Sequence, residues 1–179
     1  MLKCLSVQMN NAGFTLVELL VSIFIILLMS GIIFANYRAG EQKFALQRSA
    51  NKLAQDIRRA QQMAMSATEC PTGTVCMGQI PLGGYGIYLT IGTPESYILF
   101  ADCDGDYYYD GASEKIGDPI EFEEGIEIDS LSPSPLTIIF TPPDPTVTIN
   151  TGASASITLS INSQSKTIKV NEAGLIEIE

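Results

Sequence analysis

Glu18 is the single charge among the 21 residues from Phe14 to Phe34, and that isolation makes it the first group in the chain with chemistry to explain. A carboxylate inside a membrane-length apolar run costs about 3 kcal/mol or more near the bilayer centre and less towards the interface, so it marks a functional position that needs a partner. A second group is Asp102, Asp104, Asp106 and Asp110, with Glu114 beyond. Carboxylates on alternate residues of a loop can converge on one calcium ion, which takes about six to eight oxygen ligands. The spacing starts like an EF-hand and departs from it, because Tyr107 stands where glycine is wanted and Ser113 where glutamate is wanted. A calcium loop and a solvated β-turn held by Asx-type bonds both fit these residues. The third group is Cys70 and Cys76, which flank Pro-Thr-Gly-Thr-Val, together with Cys103. In an oxidising compartment the expectation is a small Cys70–Cys76 disulfide, with Cys103 spare or taking one of the others as partner.

Several chemistries lack their parts. The chain has no histidine, so a zinc site and the usual general base are both missing, and no serine or cysteine has a partner to activate it. Carboxylate pairs are plentiful, but glycosidase-like chemistry needs a deep pocket that a small domain seldom has. We expect no enzyme activity and no certain cofactor, with Ca2+ the one candidate.

The elements that position these groups follow from periodicity. Residues 14–34 match the roughly 20 apolar residues a helix needs to cross a hydrocarbon core. An ordinary secretory signal fits badly, since the run is too long and nothing like Ala-x-Ala follows until Ser30-Gly31. A plain signal anchor would leave Glu18 without a partner. From Ala35 to Thr68 only Gly40 interrupts, and Leu46, Ala50, Leu53, Ile57, Ala60, Ala64 and Ala67 recur at spacings of four and three, one face of an amphipathic helix. Pro71 and Gly73 are expected to end it. Beyond Cys70 the period becomes strand-like, over residues 75–80, 85–91, 97–101, 120–128, 136–141, 146–149, 156–162, 166–170 and 175–178, with Asn162-Ser163-Gln164-Ser165 as a hairpin turn. The expected fold class is α+β: a long N-terminal helix, half membrane and half amphipathic, packed on an antiparallel β head. The expected divisions are a leader 1–13, a transmembrane helix 14–34, an amphipathic helix 35–68 and a β-rich head 69–179.

The leader and the start of the apolar run carry a resemblance. A short polar segment ending in Gly13 precedes Phe14-Thr15-Leu16-Val17-Glu18, which resembles the class III leader of type IV pilins and type II secretion pseudopilins. The resemblance implies cleavage between Gly13 and Phe14 by a prepilin peptidase, methylation of the new Phe14 amine, and loss of Cys4 with the leader. It implies pairing of Glu18 with the Phe14 amine of a neighbouring subunit during filament assembly. The segments Asn51–Ala64, Gly83-Gly84-Tyr85-Gly86-Ile87 and Phe100–Asp106 resemble the pseudopilin H and FimT branch. Expected partners are other pilin or pseudopilin subunits, the prepilin peptidase, an inner-membrane platform protein and membrane lipid. The expected location is the bacterial inner membrane, single-pass, with the C-terminal head outside the cytoplasm, and a filament when assembled. A type II secretion pseudopilin is the first reading and a FimT-like minor pilin of a type IV pilus, serving motility, adhesion or DNA uptake, the alternative.

Charge distribution bears on those partners. Residues 35–59 carry six basic against two acidic side chains, a net +4, whereas residues from Ala60 onward carry three against seventeen, a net −14. A head that acidic repels phosphate backbones, which speaks against DNA binding there. The positive-inside count does not orient the span, because Lys3 precedes it and Arg38 and Lys43 follow.

Overall fold

The computed structural model describes residues 13–142, 146–150 and 152–179; for residues 32–39 it describes the helical backbone alone. Residues 1–12 of the expected leader 1–13, including Lys3 and Cys4, lie outside the described residues. The chain divides into two compact units, residues 1–41 and 42–179.

Among the described residues a single helix, α1, runs Leu16–Met65. Thr15 caps it: its Oγ1 accepts from the Glu18 N–H at 3.3 Å and its carbonyl accepts from the Leu19 N–H at 3.2 Å, which satisfies donors that a bare first turn leaves orphaned. The helix stops before the expected breakers, Pro71 and Gly73. Ala67 takes a left-handed conformation with φ of 47°, while Ala67 N–H bonds to the Ala64 carbonyl and Thr68 N–H to the Met63 carbonyl. That is a Schellman ending, built here on alanine where glycine is usual.

In the second unit the stripe Leu46, Ala50, Leu53, Ala54, Ile57, Ala60 and Ala64 is fully buried. Four of these positions are alanine. Two antiparallel sheets receive the stripe. The strands are β1 Gly84–Leu89, β2 Ser96–Asp102, β3 Ile120–Glu121, β4 Glu127–Ser132, β5 Leu136–Thr141, β6 Thr146–Ile149, β7 Ser154–Ile161, β8 Gln164–Asn171 and β9 Ile176–Ile178. One sheet has the order β3-β2-β1-β5-β6 and the other β4-β7-β8-β9. The structure is α+β and pilin-like, as the periodicities and the resemblance predict.

In β7 the alternation is visible as burial: Ala155, Ile157, Leu159 and Ile161 face in while the serines and threonines between them are partly open. Strands β1 and β5 are buried on nearly every residue, the mark of central strands covered on both faces. Gly86 makes their approach close: a Cβ there would stand 2.7 Å from the Ile138 carbonyl oxygen and 2.8 Å from the Phe100 ring.

Three sequence expectations need correcting. Residues 75–80 form turns, with only an isolated bridge between Cys70 and Met77; Gly73 and Gly78 at positive φ break the run that Val75 and Ile80 suggested. Residues 120–128 are two strands in different sheets, β3 and the start of β4, divided by a turn at Gly125 with φ of 80°. The β7–β8 hairpin is tighter than expected, closing Ile161 on Gln164 with Asn162 at φ of 53°.

Leu53 and Ala67 yield opposite predictions. Leu53→Ala should cost about 2–5 kcal/mol by leaving a cavity in the core, whereas Ala67→Gly should add about 0.5–1 kcal/mol by relieving the left-handed alanine. Urea midpoints of the detergent-solubilised chain measure both.

Candidate functional site

The N-terminal unit offers one polar constellation on an apolar rod. Glu18 occupies the first turn of α1, three residues after its capping threonine, in the Thr-x-x-Glu spacing of a capping box. Its charge there is favoured by the helix dipole. Around it, Phe14, Leu16, Val17, Leu19, Leu20, Val21 and each large apolar residue from Ile23 to Met29 is exposed, between 47 and 80%. Ser22 and Ser30 hide their hydroxyls by bonding back to the Glu18 and Ile26 carbonyls, each at 2.7 Å. A helix apolar on every face is made for lipid or for other helices.

Among the described residues no helix is long and apolar enough to cross a membrane. The part of the run within α1 whose side chains are described covers the sixteen residues 16–31, short of the roughly 20 that a span requires; the sequence remains apolar through Phe34.

In the second unit, polar bonds tie the helix to the head at the start, in the middle and just past the end of its buried stripe. The Tyr97 hydroxyl donates to Asp56 Oδ2 at 2.5 Å, and the Tyr85 hydroxyl donates to the Thr68 carbonyl at 2.7 Å. Burial, then the bond to Asp56 and its charge, pushes the Tyr97 phenol well above its usual range. Arg48 grips Glu123 with two bonds of 2.7 and 2.6 Å, Ser49 Oγ accepts from the Glu123 N–H at 3.2 Å, and Lys52 Nζ donates to the Glu121 carbonyl at 3.1 Å. The Arg48 guanidinium is the chief reason the Glu123 carboxyl is held below its usual value.

The acidic loop is built inward. Asp102 is completely buried, and its two oxygens accept from the Gly105 and Tyr107 N–H groups at 2.8 and 2.9 Å. Gly83 makes room for it, since a Cβ there would collide with the Asp102 carboxylate. Asp104 and Asp106 each accept from the N–H two residues on, the Asx pattern. Glu114, also buried, accepts from the Cys103 and Asp110 N–H groups at 3.1 and 3.0 Å. Carboxylate oxygens of Asp102, Asp104 and Asp106 converge within 4.8 Å; Asp110 is not among them. Three carboxylates could contribute to a cation site, but the remaining oxygens would have to come from backbone carbonyls or water.

All three described cysteines meet. The sulfurs of Cys70, Cys76 and Cys103 lie within 4.8 Å of one another, and Cys76 lies within disulfide reach of both Cys70 and Cys103.

Comparison with known families speaks to both units. Residues 8–34 match the prokaryotic N-terminal methylation motif, and residues 49–174 match the type II transport protein GspH. The chain belongs to the GspH family. No curated protein and no solved structure matches it. This GspH-family chain is thus a pilin-like subunit of the type II secretion and type IV pilus kind, from a family of structural proteins that associate with other pseudopilins. The motif brackets Gly13, Phe14 and Glu18, while the GspH match takes in the buried stripe from Ala50 onward, strands β1 to β8, the acidic loop and Cys70, Cys76 and Cys103.

Sequence reasoning missed the inward role of Asp102 and Glu114, the two tyrosine clamps and the Arg48–Glu123 bond. The Gly83-Gly84 pair was the available signal for the first, because a glycine pair before a strand marks close approach.

The loop predicts a pH signature. Burial is the leading cause that raises the carboxyls of Asp102 and Glu114, with backbone bonds pulling them down and neighbouring carboxylates adding to the rise. Between the usual values of 3.8 and 4.5 and the higher native ones, the folded chain holds more protons than the unfolded, so stability falls as pH rises. Glu123, held low, acts oppositely: its contribution is present above 4.5 and is lost as pH drops through the native value. Glu114→Gln should therefore flatten the fall in thermal midpoint above about pH 4, and Arg48→Ala should weaken the acid-side loss. Thermal melts across pH check both.

Proposed function

We propose that the protein is a minor pseudopilin: a structural subunit of a type II secretion pseudopilus, without catalytic activity of its own. A prepilin peptidase removes residues 1–13 and the Phe14 amine is methylated. The subunit waits in the bacterial inner membrane as a single-pass protein through residues 14–34, with its C-terminal unit outside the cytoplasm. It then joins the filament through α1. The carboxylate of Glu18 pairs with the Phe14 amine of a neighbour, so two charges that are costly in hydrocarbon neutralise each other.

The methylation motif over residues 8–34, joined to a GspH match over most of the remaining chain, carries this reading. The all-round apolar exposure of Phe14–Met29 supports it, because such a surface calls for lipid before assembly and neighbouring helices after it. The second unit acts by packing: its helix face is occupied by its own sheets, which leaves the acidic surface to meet other subunits or cargo.

Processing and assembly are tested separately. Intact mass of the protein from membranes of its host should correspond to a chain starting at methylated Phe14, whereas a full-length mass or a cut after the apolar run would overturn the reading. Replacing Gly13 with a bulky residue should leave the leader attached. Glu18→Ala should be processed normally yet drop out of sheared filaments, at least tenfold below wild type; undiminished incorporation would remove Glu18 from assembly.

A further inference from the structure

Three sulfurs gather where the loop after α1 meets the acidic loop. The loop of Cys70 and Cys76 is held by Cys70 N–H to the Gln79 carbonyl at 2.8 Å and Gly78 N–H to the Cys70 carbonyl at 3.0 Å. Cys103 is held by its own N–H on Glu114. The two loops are stitched together by the Val75 N–H on the Ser113 carbonyl at 2.9 Å. Cys76 has Cα separations of 5.8 Å to Cys70 and 5.4 Å to Cys103, both within the roughly 4.4–6.8 Å that a disulfide spans. One sulfur makes one disulfide, so the pairings exclude each other and each leaves a thiol over.

We propose that this cluster is an intramolecular thiol–disulfide exchange site, in which Cys76 is the shared sulfur and Cys70 and Cys103 alternate between bonded partner and free thiol. Starting from the Cys70–Cys76 bond, the Cys103 thiolate attacks Cys76 Sγ. The Cys76–Cys103 bond forms, the Cys70–Cys76 bond breaks, and the electron pair leaves on Cys70 sulfur, which takes up a proton to balance the one Cys103 released. Exchange involves no net oxidation. Only the first bond needs an oxidant, a small-molecule or protein disulfide that departs as two thiols.

The two states differ in what is tied and what is reachable. A Cys70–Cys76 bond stays within one loop, with a sequence separation of 6, and frees Cys103 on the half-buried flank of the acidic loop. A Cys76–Cys103 bond joins the two loops across a separation of 27 and frees Cys70, which is 4% exposed. Exchange therefore ties the acidic loop and leaves the free thiol hidden on Cys70, or unties it and leaves the free thiol on the more open Cys103. The chemistry is independent of the filament role.

The test equilibrates the purified full chain, with Cys4→Ser to silence the leader, in a buffer of oxidised and reduced glutathione. Acid quenching, N-ethylmaleimide labelling after denaturation and mass-spectrometric peptide mapping then locate bond and thiol. One disulfide per chain is expected, with the label divided between Cys70 and Cys103 and less than a tenth of it on Cys76. Cys103→Ser should show the Cys70–Cys76 bond and Cys70→Ser the Cys76–Cys103 bond. Label confined to one outer cysteine, a Cys70–Cys103 bond with Cys76 labelled, three free thiols, or a stable glutathione adduct in place of an internal bond would each overturn the proposal. If a serine variant does not fold, the parent map alone decides.

Discussion

One helix has to satisfy two environments, and most of the remaining structure answers to that constraint. Residues 16–31 present exposed apolar side chains on every face. From Leu46 onward the same helix is one-sided, with a buried stripe of leucine, isoleucine and alanine. Burying Leu46, Leu53 and Ile57 contributes about 1.5–3 kcal/mol each, and the buried alanines between them complete the face. A helix of 50 residues gains little from intrinsic propensity compared with this packing. The second unit is, in effect, the partner that the amphipathic half carries with it.

Packing on alanine alone would leave the helix free to slide, because small side chains interlock weakly. Directional bonds supply the registration. Tyr97 to Asp56 fixes the middle of the stripe, Tyr85 to Thr68 fixes the chain just past its end, and the Arg48, Ser49 and Lys52 side chains hold the 121–123 segment at its start. The Arg48–Glu123 pair is largely exposed, so it contributes position more than stability. The tyrosine bonds are partly shielded from water, where loss of a partner leaves a polar group stranded.

The parts of the fold that depend on period were legible in the sequence. Spacings of three and four from Leu46 to Ala64 gave the buried helix face, and alternation in 156–161 gave β7 with its inward residues. Local propensity misled where geometry is set by distant contacts: Val75 and Ile80 read as strand, yet Gly73, Gly78 and the contact with Ser113 bend that stretch into turns. The acidic loop was legible as a cluster but not in its orientation. A buried Asp102 depends on the absence of a Cβ at Gly83 and on two N–H groups further along, relations that run between segments. The meeting of Cys103 with Cys70 and Cys76 is of the same kind, since no spacing rule links residues on separate loops.

Glu18 shows how local structure and assembly can be tuned together on the proposed reading. Its carboxylate lies in the first turn, where Thr15 already caps the helix and the dipole favours a negative charge. Those terms amount to about 1 kcal/mol or less, well under the cost of holding an unpaired carboxylate deep in hydrocarbon. The lone subunit is therefore kept tolerable while its charge stays near the interface, and it is made comfortable only when a neighbour's amine arrives. A stronger internal partner, such as a lysine one turn along the helix, would have stabilised the monomer and removed the incentive to assemble. The 21 residues from Phe14 to Phe34 contain no such cation, and on this view that absence is as functional as the glutamate itself.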